Sequence, residues 1–191
     1  MIPAFDRHGV VPPIRPGRPG ADDDRSPYPT DMLTFCQRFG TTPERRAILR
    51  GLLDLRAALA NAGFTESHQW LDGSFVEDVE QLRGRPPQDI DVVTFAALGD
   101  GPAQRAKLHS NPVLYDPRMC KARYRVDHYL LPADRPLDEA YARRIGYWYS
   151  MWSRQRETGR WKGFVSVPLV STDAEARAWL DAQNDVETGE S

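Results

Sequence analysis

The sequence predicts an α+β fold in which a mixed β-sheet is flanked by helices. Three observations carry that expectation. Between Thr42 and Gly63 the residues Ile48, Leu49, Leu52, Leu53, Leu55, Ala58 and Leu59 recur at helical spacing and make one broad apolar face. The segments around Asp89 to Val93 (DIDVV) and Ala122 to Leu131 (ARYRVDHYLL) alternate as strands do. The third is an ordered run from Gln69 to Phe95: strand end, Gly73-Ser74 turn, helix, and a strand carrying two carboxylates.

A chain of 191 residues fits one domain, or one domain with appendages, and can bury a real core. With 27% charged and 40% hydrophobic residues it reads as soluble and globular. It holds no run of roughly eighteen apolar residues, and MIPAFDRHGV lacks the basic and apolar regions of a leader, so a cytoplasmic protein with no membrane span is expected. Cys36 and Cys120 lack C-x-x-C spacing and a neighbouring His pattern, which points to two reduced thiols rather than a disulfide or zinc site. The net charge of -2 hides asymmetry. Arg143, Arg144, Arg154, Arg156, Arg160 and Lys162 face only Glu157 within 143–162, a cationic segment suited to a protein partner, while the last residues are acidic.

Along the chain, residues 1–30 hold seven of the sixteen prolines, with Gly17, Gly20 and Asp22-Asp23-Asp24, and are expected to form an extended arm. The triple Asp reads as a solvated run, since nothing around it fixes a coordination geometry. Residues 31–170 form the main domain. Its first clear helix starts at Thr41 or Thr42, with Pro43 and Glu44 in the first turn, and stops at Gly63. Glu66 to Leu71 reads as a short strand and Phe75 to Leu82 as a helix ended by Gly84 and Pro86-Pro87. Residues 99–119 look loop-rich, with one helical turn around Gln104 to Leu108. Leu137 to Gln155 reads as an aromatic-rich helix and Trp161 to Leu169 as a final strand and loop. Residues 171–191 then give a short helix through Leu180 and an acidic tail that frays.

The chemistry concentrates in three aspartates. Alternate strand residues share a face, so Asp89 and Asp91 point one way while Ile90 and Val92 enter the core. Two such carboxylates repel each other and raise one another's pKa, so both stay ionised only if a cation lies between them, which is how a Mg2+ site is made. Asp127 is a further carboxylate in a β-pattern and becomes a third ligand if its strand lies beside the first. Gly73 lets the backbone approach a phosphate, and Ser74 adds a hydroxyl ahead of a helix N-terminus. Taken singly, a Gly-Ser step is usually a turn and a D-x-D is as often structural; the order of the two carries the signal. Arg83, Arg85 and Lys162 are candidates to neutralise phosphates, although surface cations usually do nothing specific. Asp72, Glu77, Asp78 and Glu80 read as helix-dipole partners, His128 as a satisfied histidine, and Trp148, Trp152 and Trp161 as packing.

The pattern Gly73-Ser74, short helix, Asp89-x-Asp91 in an apolar strand and a later Asp127 resembles the polymerase-beta-like nucleotidyltransferase superfamily. RFGTTPERRAILRGLL, QWLDGSFVED, RPPQDIDVVTF and YWYSMWSRQRETGRWKGF look like a small uncharacterised bacterial family within it, over roughly residues 1 to 170. The resemblance implies a minimal nucleotidyltransferase fold over 31–170 and transfer of a nucleoside monophosphate from an NTP, such as ATP, to a hydroxyl on protein, RNA or a small molecule. It implies Mg2+, or Mn2+ in its place, on Asp89, Asp91 and Asp127, with Gly73 and Ser74 cradling the nucleotide's phosphates. Small bacterial relatives commonly sit in defence or toxin–antitoxin settings, so the alternative is a non-catalytic antitoxin or interaction module that keeps the fold.

Overall fold

Asp31 and Thr42 each cap a helix. In a computed structural model of the chain, which describes residues 1–17, 22–99 and 101–188, Asp31 Oδ1 accepts from Thr34 N at 2.8 Å at the start of α1 (Met32–Phe39). Thr42 Oγ1 accepts from Arg45 N at 3.3 Å ahead of α2 (Pro43–Asn61), whose proline lies in the first turn as the sequence predicts. Gly63, at φ +88°, takes the chain out of that helix in a conformation that only glycine adopts freely. Gly20 of the expected arm and Glu190 of the expected tail lie outside the described residues.

Five strands form one mixed sheet, β1 (Tyr28–Pro29), β2 (Ser67–Asp72), β3 (Ile90–Ala96), β4 (Val126–Pro132) and β5 (Val165–Pro168), in the order β1-β5-β2-β3-β4. β2 runs antiparallel to β3 and β5, while β3 and β4 are parallel, as are β1 and β5. Strand parity decides what each face meets. Leu71, Ile90, Val92, Val126 and Val165 join Phe35, Leu49, Leu52 and, from the last helix, α7 (Asp173–Thr188), Leu180 in the main core. On the opposite face Trp70, Val93, Phe95, Leu131 and Phe164 pack against Trp148 and Trp152. The shorter helices number α3 (Val79–Arg83), α4 (Gly101–Ser110), α5 (Pro117–Tyr124) and α6 (Glu139–Trp152), leaving α7 as the last. The fold is therefore α+β, with α1, α2 and α7 on one side of the sheet and α6 on the other. Each buried apolar side chain contributes about 1.5–3 kcal/mol, so a one-residue slip of β3 would exchange core residues for aspartates and is strongly disfavoured.

A polar relay crosses the main core. Arg56 on α2, fully buried, holds Asp173 through both carboxylate oxygens at 2.7 and 2.9 Å and the carbonyls of Pro168 and Leu169 at 2.8 and 2.7 Å. It also donates to Gln69 Oε1 at 2.7 Å; Gln69 donates to Thr94 Oγ1 at 2.8 Å, which meets His128 Nε2 at 2.8 Å. His128 Nδ1 lies 3.1 Å from the Leu114 carbonyl, so a neutral ring with its proton on Nδ1 satisfies the whole series. Burial pushes the His128 pKa down to about 4, in keeping with a neutral ring.

Three segments differ from the expectation. The helix anticipated over Phe75 to Leu82 is split into a 3-10 turn, Ser74–Val76, and the five-residue α3, because Glu77 between them is extended (φ -117°, ψ 158°) and turned inward. The stretch 99–119 is mostly helical rather than loop. Asp116 caps α5 by accepting from Arg118 N and Met119 N at 2.8 and 3.1 Å, and this helix takes up Ala122 to Tyr124, so β4 starts only at Val126. The last helix is also longer than expected, reaching Thr188. Cys36 and Cys120 are free and buried, and no helix among the described residues is long and apolar enough to cross a membrane.

Gly51 sets the distance between α2 and the end of α5. A Cβ added there would stand 1.9 Å from the Tyr124 carbonyl oxygen, a backbone atom that cannot swing aside. Gly51→Ala is expected to cost about 1–3 kcal/mol or more, read as a lower denaturation midpoint, despite alanine's better helix propensity.

Candidate functional site

The site grows out of strand register. Asp72 at the end of β2 pairs with Asp91 on β3, and Asp91 pairs with Asp127 on β4, so three strands bring three carboxylates into one row. The next row on that face is Trp70, Val93 and Tyr129, and the one beyond it His68, Phe95 and Leu131. Trp148 of α6 stacks on Tyr129 at 4.7 Å, and Trp148 and Trp152 belong to the cluster with Trp70, Val93 and Phe95. The carboxylate row lies outside that aromatic cluster, at the end of the sheet where β2 gives way to the turn.

Asp89, one residue before β3, joins the row through a cation. Lys121 of α5 forms a short ion pair with Asp89 and lies 3.9 Å from Asp127. Asp91 stands behind them: burial first, then the charges of Asp89 and Asp127, push its pKa up to about 6. Hydrogen bonding to Asp89 outweighs desolvation and raises the Lys121 pKa. The three acids expected from sequence are thus brought together. Two residues that sequence reasoning missed complete the group. Asp72 was read as a helix-dipole partner, and its place in the row becomes visible only once β2 and β3 are paired. Lys121 sits in a basic stretch with no spacing that marks it out.

Gly73 follows Asp72 with φ 85° and ψ -167°, a region open essentially to glycine alone. A Cβ there would meet Asp91 Oδ2 at 2.6 Å, so the turn's backbone lies directly against the central carboxylate. Gly73→Ala is expected to lose about 1–3 kcal/mol of stability through the strained backbone alone and to shift Asp91 out of the row. Thermal melting and loss of any divalent-ion stabilisation would check it. Ser74 opens the 3-10 turn beside it. The anticipated helix N-terminus after Gly73-Ser74 is not formed, because Glu77 breaks the helix, and what the Gly73 backbone lies against is the Asp91 carboxylate.

Lys162 lies beneath this turn with its side chain 3% exposed. Its ammonium donates to the Gly73 carbonyl at 3.0 Å and Glu77 Oε1 at 2.9 Å, and pairs with Asp72 Oδ1 at 3.1 Å without an aligned hydrogen bond at that oxygen. Two of the ammonium's three donors make hydrogen bonds, and the charge lies against the Asp72 carboxylate. Lys162 is therefore a strut for the turn rather than the phosphate ligand anticipated. Burial opposes its charge, yet the Asp72 and Glu77 carboxylates outweigh burial and leave its pKa raised. One cation between two buried carboxylates leaves a surplus negative charge. Asp72 absorbs it, its pKa pushed up to about 7 by burial against the pull of Lys162.

The other candidates separate in the same way. Arg83 Nη2 lies 3.5 Å from both Glu77 and Glu157, and Arg85 donates to the neighbouring Pro86 carbonyl at 3.3 Å, so neither is joined to the aspartate row by a contact. Glu80 pairs with Arg45 at 2.7 Å, a tertiary link rather than a dipole effect. His128 is a satisfied core residue, as expected. Trp148 and Trp152 pack, whereas Trp161 is 55% exposed with the Arg154 guanidinium 4.3 Å over its ring.

Beside Asp127 opens a cleft of about 800 Å³ walled by Lys121, Arg118, Tyr115, Tyr129 and the prolines 112 and 117. Its size suits a small-molecule or nucleotide-sized group. Among the described residues no three of His, Cys, Asp or Glu are gathered closely enough to hold a metal unaided. A hard divalent cation such as Mg2+ commonly takes only one or two protein carboxylates and completes its shell with substrate oxygens and water.

These residues all fall in one matched segment. The chain belongs to DUF6932, a family of unknown function. The family's model matches residues 3–168, which take in the aspartate row, Asp89, Gly73-Ser74, Lys121 and Lys162. No curated protein and no solved structure matches the chain. The DUF6932 match thus covers the site without assigning it a reaction.

Proposed function

We propose that this DUF6932 member is a nucleotidyltransferase of the polymerase-beta-like kind, moving a nucleoside monophosphate from an NTP to a hydroxyl on protein, RNA or a small molecule. The observation that supports it most is the strand-paired row Asp91 and Asp127, with Asp89 adjoining, set against the bare backbone of Gly73. Asp89, Asp91 and Asp127 would supply one or two carboxylates at a time to Mg2+, or to Mn2+ in its place, with substrate oxygens and water completing the shell; the ion, when bound, would supply neutralisation of phosphate charge and a lower pKa for the attacking hydroxyl. Gly73 lets the nucleotide's phosphates come close to Asp91. Asp127, at the mouth of the cleft, orients the acceptor hydroxyl and receives its proton. The acceptor oxygen bonds to the α-phosphorus, the bond from that phosphorus to the bridging oxygen breaks, and pyrophosphate leaves. Positioning and charge supply most of the rate.

Each α-labelled NTP, incubated with Mg2+ or Mn2+ and with protein, RNA and small-molecule fractions, is expected to leave label on an acceptor. The Asp89→Ala, Asp91→Ala double variant is expected to leave none. Equal labelling by the two proteins, or none by either, sinks the reading.

A second reading has its own support. Trp161 is 55% exposed with the Arg154 guanidinium over its ring, and Tyr147 of the same 143–162 segment is also 55% exposed, which gives the segment aromatic and cationic surface suited to a protein partner. A non-catalytic antitoxin or interaction module would keep its complex in the Asp89→Ala, Asp91→Ala double variant and lose it on Trp161→Ala.

A further inference from the structure

Lys121 has no part in the reaction just described, yet it stands where a cation would have to enter. Its ammonium is paired with Asp89 and lies 3.9 Å from Asp127, between two of the carboxylates assigned to the ion. Lys162, the other lysine of this region, is sealed in, hydrogen-bonded to Gly73 and Glu77, paired with Asp72 and with its side chain 3% exposed. Lys121 differs on each count. Its side chain is 50% exposed, it projects from α5 rather than from the sheet, and it lines the cleft of about 800 Å³. A flexible four-carbon stem can therefore swing its charge from Asp89 into the cleft without uncovering any core.

We propose that Lys121 is a displaceable counter-ion: it neutralises Asp89 and Asp127 while no divalent cation is bound, and a divalent cation entering the row drives it into the cleft. This rests on the reading of Asp89, Asp91 and Asp127 as cation ligands. Charge balance gives the direction. Three carboxylates with one ammonium keep a net charge of about two negative units, which a divalent ion offsets more fully than the lysine does. Once that ion is in place, the ammonium meets like charge at its former position and is repelled. In the cleft it joins Arg118, so the wall becomes more positive once the cation has bound and Lys121 has left Asp89, and anionic ligands are expected to follow the cation rather than precede it.

The chain has only three lysines, Lys107, Lys121 and Lys162, which makes the test direct. Wild-type protein is trace-labelled with an amine-acylating reagent in Mg2+ or in NaCl of matched ionic strength, and modification at each lysine is read by mass spectrometry alongside thermal melting. Labelling of Lys121 is expected to rise several-fold with Mg2+, with Lys107 unchanged as the reference and Lys162 low throughout. In Asp89→Asn, Asp91→Asn protein Lys121 should be reactive already and indifferent to Mg2+. Lys121→Met should bind Mg2+ more tightly by thermal shift, and Lys121→Arg, which keeps the charge, should not. If Mg2+ raises the melting temperature while Lys121 labelling stays fixed, the displacement is wrong and the cation site stands. If Mg2+ changes neither, the cation-ligand reading falls and the displacement falls with it.

Discussion

Replacing Lys162 with methionine is expected to remove about 3–5 kcal/mol of stability, lowering the melting temperature by roughly 10 °C or more. The side chain volume is nearly kept, so packing is not the cause. What changes is that Asp72 and Glu77, both almost fully buried, lose the cation between them, and the Gly73 carbonyl loses a donor. Glu77 retains Gln155 Nε2 at 3.0 Å and the more distant Arg83. The Asp72 carboxyl, its pKa already pushed up to about 7 by burial, loses the cation that opposes that rise, so its folded-state pKa stays above its unfolded one. Such a group adds stability that is present in acid and lost as pH rises through the folded pKa, so the variant should be firmest near pH 4 to 5 and weaken through neutrality. Removing the acids as well, as Asp72→Asn, Glu77→Gln, Lys162→Met, should recover part of the loss, because a wholly neutral group costs less than an unpaired charge. A melting temperature within about 2 °C of wild type for Lys162→Met would contradict the buried ion triad.

Asp91→Asn is expected to move stability and activity in opposite directions. The proposed nucleotidyl transfer should fall on the order of 10³-fold or below detection, since the central carboxylate of the row is gone. Stability should rise by about 2–3 kcal/mol at pH 8, because the wild-type carboxyl, with its pKa pushed up to about 6, is ionised there at a cost set by burial and by Asp89 and Asp127. The sign follows from the raised pKa: the stabilising contribution is complete below the unfolded value near pH 4 and is lost as pH climbs through about 6. The gain from asparagine should therefore vanish near pH 4 and grow toward pH 7. Mg2+ should stabilise wild type and leave the variant unmoved. Denaturant titrations across pH with and without Mg2+ would show it, and a variant less stable than wild type at pH 8 would mean that Asp91 is held by favourable contacts instead of strained by its neighbours.

How much of this could be read from the chain depends on the range of the interactions. The α2 helix, the DIDVV strand and the grouping of Asp89, Asp91 and Asp127 were legible because local period and parity set them, and the parallel pairing of β3 and β4 then completed the group. Asp72 was not legible as part of the row, since its role depends on the antiparallel register of β2 with β3. The broken helix after Ser74 had the same kind of cause. Its residues favour a helix, but Glu77 is drawn inward to Lys162, a partner far along the sequence, and tertiary electrostatics override the local preference. Lys162 itself reads from the sequence as a candidate to neutralise phosphates, because its carboxylate partners Asp72 and Glu77 lie far along the chain. By contrast the start of α5 was available locally, since Asp116 followed by Pro117 is a helix-opening pair, and the alternation of the following strand masked it.

The reach of Arg56 has a bearing on where this protein can be divided. The DUF6932 match stops at residue 168, while the guanidinium's carboxylate partner is Asp173 and the oily plug above it includes Ala176 and Leu180. A fragment trimmed to the homologous segment would strand an interior cation and open a groove along α1 and α2. The unit that folds is therefore longer than the unit that is shared, and expression boundaries should be drawn beyond α7.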